Sequence, residues 1–163
     1  MATGDILNAL RNVEFFRGMA DEHLKRLAAI ATSVEFPAHH DIFLEHEPAE
    51  DVFFITSGQV SLVICAPGVG CRQLTEVSAG ELIGWSPLVG RSRLSDTART
   101  LTPTKAIAMN GERILKLCME DPQLGFDFMH RAAQTLAERL SATRLLLLKM
   151  SGMRFPEVQI ESD

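Results

Sequence analysis

The order of hydrophobic and polar positions divides the chain into a helical start, a strand-rich middle and a helical end. In the first part, apolar residues recur at i, i+3, i+4 and i+7, at Leu24, Leu27, Ala28 and Ala31. That spacing predicts a short helix with one apolar stripe, which must lie against other residues. We therefore expect a helical start over residues 5–31.

The middle of the chain, from about residue 33 to 110, has the pattern of strands. Short runs of β-branched and aromatic residues alternate with turn residues, namely Pro37, Pro48, Ser57-Gly58, Pro67-Gly68, Ala79-Gly80 and Pro103. Many short strands with regular turn signals are typical of a β-roll or barrel. We predict a β-roll here.

The end of the chain, about residues 111–150, returns to helical spacing. Asp121 can cap a helix, and Pro122 suits its first position because proline has no amide hydrogen there. Spacings of three and four then alternate along a predicted dimer seam: Phe126, Met129, Ala133, Leu136, Leu140, Thr143, Leu147 and Met150. A 3.5-residue repeat favours two supercoiled helices, most simply from two copies of this chain. The alternative is that the same stripe packs on the chain's own β-roll.

Composition restricts the class of protein. With 163 residues, we expect one domain, residues 1–163. The formal net charge of −5 argues against nucleic acid as a partner, because nucleic-acid binding needs clustered Lys and Arg. The 46% hydrophobic and 23% charged content is near the globular average, so a largely disordered chain is excluded.

Cysteine usage and the chain's hydrophobic runs predict a cytoplasmic protein. Cys65, Cys71 and Cys118 form no CxxC pair, so neither a disulfide framework nor a zinc ribbon is expected. Cys65 and Cys71 flank a predicted hairpin and are expected to be small buried residues in a reducing compartment. The N-terminus lacks signal-peptide features, and Leu145–Leu148 is far shorter than the ~20 apolar residues of a membrane helix.

Two glycine-containing turns carry a family resemblance. Residues 43–60 include the pattern Ile-x-x-Gly-x-Val at Ile55–Val60, and residues 79–88 are followed by Thr97-Ala98. With Phe15–Met19 ahead of the first amphipathic helix, these segments resemble the cyclic-nucleotide-binding domain family, of the catabolite-activator type, over about residues 10–150. The resemblance implies an α+β, mainly β, fold. Its centre is an eight-stranded β-roll (a jelly-roll-like double-stranded β-helix), with N-terminal helices and a long C-terminal helix that dimerises.

Residues 79–98 resemble the family's phosphate-binding cassette, the loop and short helix that hold a cyclic nucleotide. Gly80 and Gly84 allow tight turns, and Ser86-Pro87 has the pattern of a cap followed by proline at the first helical position. Such a helix start exposes N–H groups that can bind an anion, although it can also be a plain cap inside the roll. The candidate ligand-binding residues are Gly80, Glu81, Gly84, Trp85, Ser86, Thr97, Ala98 and Arg99.

The sequence departs from this cassette at two side chains. The family has Gly-Glu, whose carboxylate accepts from the ribose hydroxyl, where this chain has Gly84-Trp85. It has Arg, for the cyclic phosphate, where this chain has Asp96. Loss of one partner of a buried charge pair costs about 2–5 kcal/mol, or roughly one and a half to three and a half decades of affinity. We expect weak or absent cAMP and cGMP binding, and a different small anion as any native ligand.

Nearby residues could compensate for these losses. Arg91 and Arg93 lie in the cassette loop, and Arg99 shares strand parity with Thr97, so it could line the same pocket. Otherwise Arg99 is a surface or rim arginine. Trp85 could stack on a base, fill the ribose space or simply fill the core.

Catalytic and metal sites are not expected. Six polar residues precede a glycine turn, as ligands do in cupin-type metalloenzymes: His39, His40, Glu45, His46, Glu47 and Asp51. However, metal ligands from one strand normally stand at i and i+2, whereas His39 and His40 are adjacent and point to opposite faces. No Cys, Ser or Lys lies in a recognisable nucleophile turn, so we predict no enzyme activity, no metal and no cofactor.

The sequence is compatible with three functions. The first is a free-standing, non-enzymatic sensor, in which a small anion or nucleotide occupies the cassette, reorients the long helix and alters the homodimer or a protein partner. The second is a ligand-blind dimerisation or interaction domain whose pocket is plugged by Trp85. The third, with least support, is a cupin-like metalloenzyme. Residues 151–163 contain Gly152 and Pro156 and are not expected to supply a helix-turn-helix, so DNA is not an expected partner. A membrane is not expected either, because the longest leucine run is too short to span one.

Overall fold

The computed structural model describes residues 3–151 and 155–159. Within them, the α-helices are α1 Thr3–Asn12, α2 Asp21–Ala28, α3 Gly111–Glu120 and α4 Pro122–Ser151. Two 3-10 helices span Glu14–Phe16 and Ser86–Val89. No helix in these residues is long and apolar enough to cross a bilayer.

The middle of the chain is an eight-stranded antiparallel structure, which confirms the predicted fold class. The strands are β1 Ala31–Phe36, β2 Asp41–Phe43, β3 Asp51–Ser57, β4 Gln59–Ala66, β5 Gly70–Ser78, β6 Leu82–Ile83, β7 Thr97–Thr100 and β8 Thr104–Asn110. They form two sheets, in the orders β1-β8-β3-β6 and β2-β7-β4-β5. The long β4–β5 hairpin therefore ends the second sheet, with β5 at its edge.

Apolar residues from both sheets form one core. Phe43, Leu62 and Ala98 of the second sheet pack in one cluster with Ile55 and Ile83 of the first. Each is less than a tenth exposed, so this cluster holds the two sheets together.

The apolar stripe predicted for the first amphipathic helix extends beyond the helix itself. Helix α2 ends at Ala28, and Ala31, the expected i+7 position, is the first residue of β1, paired with Met109. The i+7 spacing continues past the end of α2 because Ala31, although it belongs to a strand, is apolar and half-buried like a residue of the helical stripe.

The start of α4 is fixed by Asp121, as predicted. One carboxylate oxygen of Asp121 accepts from the Leu124 N–H at 3.2 Å, and the other lies 3.1 Å from Arg26 Nη1 and 3.6 Å from His23 Nε2. The Leu124 hydrogen bond, followed by Arg26 and His23, holds the pKa of this carboxyl below its usual value. Helix α2 thus contacts the junction of α3 and α4.

The chain divides into two compact units, with the boundary inside α4 between Asp127 and Phe128. Along α4, Leu124, Phe128 and Ala132 are buried. At 3.6 residues per turn the predicted seam lies on another face. Of its residues, Phe126, Ala133, Leu140, Thr143, Leu147 and Met150 are exposed in the single chain, and Met129 and Leu136 are half-buried.

The cysteine prediction was wrong. Cys65 and Cys71 form a disulfide across the β4–β5 hairpin, where they are direct cross-strand partners, and both are exposed rather than buried. Strand register, which the six-residue separation does not reveal, places the two side chains together. Cysteine usage therefore no longer argues for a reducing compartment.

Candidate functional site

Gly84 lies where the chain leaves β6, at a point with no room for a side chain. Its φ is +72°, and a Cβ would lie 2.9 Å from the Asp51 carbonyl oxygen and 3.3 Å from a ring carbon of Phe43. Glycine is required because both neighbours belong to the packed roll. The cassette, defined here as residues 79–98, is thus held against β2 and β3.

Gly80 and Glu81 hold the turn between β5 and β6. The Gly80 N–H donates to the Ile55 carbonyl at 2.8 Å, and its carbonyl accepts from the Phe15 N–H at 3.3 Å. The Glu81 carboxylate accepts from the Ser78 N–H at 2.8 Å. Both residues therefore have structural partners at this turn, and Gly80 connects it to the N-terminal 3-10 helix.

The short helix of the cassette begins one residue earlier than predicted. It is a four-residue 3-10 helix from Ser86 to Val89, with Trp85 in the capping position and no side-chain cap hydrogen bond. Ser86 is buried and is the first helical residue rather than the cap. Pro87 fits the first turn for the predicted reason, since it has no amide hydrogen to satisfy.

Trp85 forms part of the cassette surface. Its side chain is half-buried, and the Arg91 guanidinium carbon lies 5.9 Å from the ring centroid, within the range of a cation–π interaction. By the sequence resemblance, Trp85 replaces the family's ribose-binding Glu. It offers an aromatic face instead of a carboxylate.

Thr97 and Ala98 begin β7 and face opposite sides of it. Ala98 is fully buried in the core cluster. The Thr97 hydroxyl oxygen accepts from the Glu45 N–H at 2.9 Å, so it contacts the segment that follows β2. This hydrogen bond joins the end of the cassette to the β2–β3 turn.

Arg93 and Arg99 both have partners within the chain. Arg99 is exposed, on the opposite face of β7 from Ala98, and its Nη1 lies 3.3 Å from the Asp41 carboxylate. Arg93 donates to the His46 carbonyl at 2.8 Å. These contacts account for both guanidinium groups without a ligand.

The charges of the cassette differ from those of a cyclic-phosphate site. Asp96, which the sequence resemblance matches to the family's arginine, is half-buried. The nearby cations Arg91, Arg93 and Arg99 contact an indole ring, a carbonyl and a carboxylate respectively. A phosphate bound here would have to draw one of them away from its present partner.

The cassette loop is also bonded to the β2–β3 turn through main-chain groups. The His46 N–H donates to the Leu94 carbonyl and the Leu94 N–H to the Glu47 carbonyl, both at 2.9 Å. The Ala49 N–H donates to the Ser92 carbonyl at 3.0 Å. Leu94 itself packs in the core cluster.

Sequence reasoning missed the position of Glu45, which it grouped only with the other polar residues ahead of a glycine turn. Its side chain is only 12% exposed, and one carboxylate oxygen accepts from the Cys65 N–H at 3.1 Å. The other lies 3.5 Å from His46 Nε2. Nothing in the local pattern predicts this, because the contact depends on how the hairpin packs beside the turn. Among residues 3–151 and 155–159, no three His, Cys, Asp or Glu side chains are placed to hold a metal ion.

The fold and the cassette define a cyclic-nucleotide-type regulatory domain. The family model described as "Cyclic nucleotide-binding domain" matches residues 33–121, more than half of the chain. The chain belongs to this family.

Among characterised relatives, the chain is 24% identical over 134 residues to the CRP-like cAMP-activated global transcriptional regulator of Mycobacterium tuberculosis. The match covers 82% of this chain but only 58% of that regulator.

Solved structures share the fold. A cyclic nucleotide-binding domain from Methylobacillus flagellatus superposes with a TM-score of 0.76 at 19% identity, covering 97% of this chain and 86% of that one. The regulatory subunit of a cAMP-independent protein kinase A from Trypanosoma brucei superposes with a TM-score of 0.71 at 19% identity, covering 88% of this chain and 51% of that one.

Proposed function

We propose that this chain is a non-enzymatic sensor domain whose cassette binds a small anionic ligand, with nucleotides as the first class to test. Its signal passes through α4, and two copies pair along the exposed seam of that helix. The main support is the cassette, which keeps the family's scaffold while its charged groups differ. Gly84 still fits against β3, and the core cluster still closes around Ala98.

The ligand is proposed to differ from cAMP because of the charges at the cassette. Asp96 would repel a cyclic phosphate, and the three nearby arginines already have partners. The T. brucei neighbour, described as cAMP-independent, is an example of this fold in a protein with that property. A ligand that stacks on Trp85 and draws Arg91 away from the ring suits the groups present.

A thermal-shift screen with cyclic, mono- and diphosphate nucleotides tests the proposal. Ligand at 100 times its dissociation constant adds about 2.7 kcal/mol to the free energy of unfolding, so a true ligand raises the melting temperature by several degrees. Trp85→Ala should abolish the shift and keep the fold, since Trp85 is outside the core cluster. If none of the nucleotides changes the melting temperature, the proposed sensor function is contradicted.

Asp96→Arg tests whether the cassette scaffold can still accept a cyclic nucleotide once the charge is restored. The substitution restores a guanidinium at the family's position, so we expect cAMP binding by calorimetry to strengthen at least thirtyfold. Asp96→Asn is the matched control, because it removes the negative charge without adding a cation, and it should gain much less.

The exposed half of α4 supports the proposed homodimer. Every residue from Ser141 to Met150 is exposed, including four consecutive leucines, Leu145–Leu148. An apolar groove of about 550 Å³ lies among the last turns of α4 and Phe155. Apolar patches of this kind mark interaction sites, and a seam with a 3.5-residue repeat suits a second copy. Light scattering at increasing protein concentration should give the mass of a dimer.

The second candidate is a ligand-blind interaction domain, and one observation favours it. Leu94 from the cassette loop packs in the core, and backbone hydrogen bonds join the loop to the β2–β3 turn. Absence of binding to both the wild type and Asp96→Arg, together with a stable dimer, would select this candidate.

The proposed location is the cytoplasm, and the proposed partners are a small ligand, a second copy and a protein target. The net charge of −5 supports partners other than DNA. An exposed disulfide in that compartment is expected to be reversible rather than permanent.

A further inference from the structure

The β4–β5 hairpin carries a disulfide that lies outside the cassette. Cys65 and Cys71 face each other one pair before the turn, and the residues around them are exposed on both strands, from Cys65 through Glu76. Exposed disulfides are accessible to thiols and are more readily reduced than buried ones. The hairpin tip is therefore a site where thiol exchange can occur in the folded protein.

Glu45 links the disulfide to the end of the cassette, beside the direct pairing of Val63 with Thr97 between β4 and β7. The Cys65 N–H donates to the Glu45 carboxylate at 3.1 Å, and the Glu45 N–H donates to the Thr97 hydroxyl at 2.9 Å. Glu45 is 12% exposed, so water has little access to replace a lost partner. A change in the hairpin at Cys65 thus reaches the first residue of β7 through two hydrogen bonds.

We propose that Cys65 and Cys71 are a reversible thiol–disulfide site whose redox state is transmitted through Glu45 to Thr97 and the end of the cassette. In the oxidised state the cross-link holds the Cys65 N–H on Glu45. In the reduced state the hairpin tip moves freely, Glu45 loses this donor, and its hydrogen bond to Thr97 weakens. The site does not depend on which ligand occupies the cassette.

The exchange needs a thiol–disulfide partner, either a small thiol or a dithiol protein. On oxidation, one cysteine thiolate attacks the partner's S–S bond, which breaks and releases one partner thiol after protonation. The second cysteine thiolate then attacks the mixed disulfide, forms the Cys65–Cys71 bond and releases the second partner thiol. Two electrons pass to the partner, and the two protons of the cysteines end on its thiols. Reduction is the reverse.

Cys118 provides an internal control for the chemistry. It is half-buried, and burial raises the pKa of its thiol, so little thiolate is present near neutral pH. Cys118→Ser should leave the redox behaviour of the hairpin unchanged.

A titration with glutathione tests the reversible step. The folded protein is equilibrated with different ratios of reduced to oxidised glutathione, and free thiols are then blocked and counted by mass spectrometry. We expect reversible interconversion of dithiol and disulfide while the protein stays folded, in the wild type and in Cys118→Ser alike. A pair that stays oxidised until the protein unfolds, or that never oxidises in the native state, overturns the proposal.

Hydrogen exchange tests the transmission. Reduction should speed exchange of the Cys65 and Glu45 amides at least tenfold, and the double variant Cys65→Ser/Cys71→Ser should match the reduced protein without reductant. The Ile55 amide, which donates to the Glu81 carbonyl, should not change. Reduction of the wild type should also speed exchange of the His46 and Leu94 amides, which donate between the β2–β3 turn and the cassette loop, and this effect should be absent in Glu45→Ala. Faster exchange confined to residues 65–71 of the wild type would overturn the link to the cassette.

Discussion

The cassette and the C-terminal half of α4 differ in whether their side chains have partners within the chain. In the cassette, Arg91, Arg93, Glu81 and Thr97 have partners within the chain, as does Arg99 beside it. Along Ser141–Met150, leucines and a methionine are exposed. A ligand must therefore compete with existing contacts, whereas a partner for the helix only has to cover apolar surface. Association through α4 needs less rearrangement than binding at the cassette.

The largest effect is expected for Gly84→Ala, which tests how tightly the cassette is packed. A Cβ 2.9 Å from the Asp51 carbonyl, at a φ of +72°, combines a clash with backbone strain. We expect a loss of about 3 kcal/mol in the free energy of unfolding, measured by urea denaturation. Gly90→Ala is the matched control, because its φ is +73° with nothing within 4 Å, and it should lose about 1 kcal/mol. Equal losses at the two positions would show that the clash is absent.

The next effect concerns the exposed helix. Leu140→Glu places a charge in the middle of the predicted seam, and burial of an unpaired charge should weaken the proposed dimer about a hundredfold, or roughly 2.7 kcal/mol. Analytical ultracentrifugation measures the dissociation constant. Gln134→Glu, an exposed position outside the seam, should change it little. An unchanged dimer in Leu140→Glu would place the interface elsewhere.

Removal of the hairpin cross-link should have a smaller effect on stability. A disulfide that closes so short a loop stabilises by about 2 kcal/mol in the chain-entropy model. Cys65→Ser/Cys71→Ser should lower the free energy of unfolding by up to that amount and leave the proposed dimer intact. Denaturation of the wild type with and without reductant gives the same comparison. A cost well above this value would make the hairpin part of the folding core.

The smallest effect is expected for Asp121→Asn, which keeps a capping side chain but removes the charge that faces Arg26 and His23. Because the pKa of Asp121 is lowered in the folded state, its carboxylate stabilises the fold above the unfolded-state pKa near 3.8. That contribution is lost as the pH falls through the folded-state pKa. The variant should therefore be slightly less stable than the wild type at pH 7, and the difference should vanish in strong acid. The midpoints of urea denaturation at pH 7 and in strong acid, for wild type and variant, measure this difference.

The fold was predictable because its signals are local. Turn residues punctuate the strands, Asp121 caps α4, and the glycine pattern around Gly84 identifies the cassette. The partners of the site were not predictable in the same way. The Arg99–Asp41 ion pair, the contact of Glu45 with Cys65 and the Cys65–Cys71 disulfide each join residues from separate segments of the roll. Such contacts are set by register and packing, which leave no mark on a single stretch of sequence.

The pairing of Leu94 with His46 and Glu47 has a mechanical consequence for access to the roll. Two reciprocal main-chain hydrogen bonds, with a third from Ala49 to Ser92, join the cassette loop to the β2–β3 turn, so we expect the two segments to move together. A molecule that enters the roll from this side must displace both segments together or first break these three main-chain hydrogen bonds.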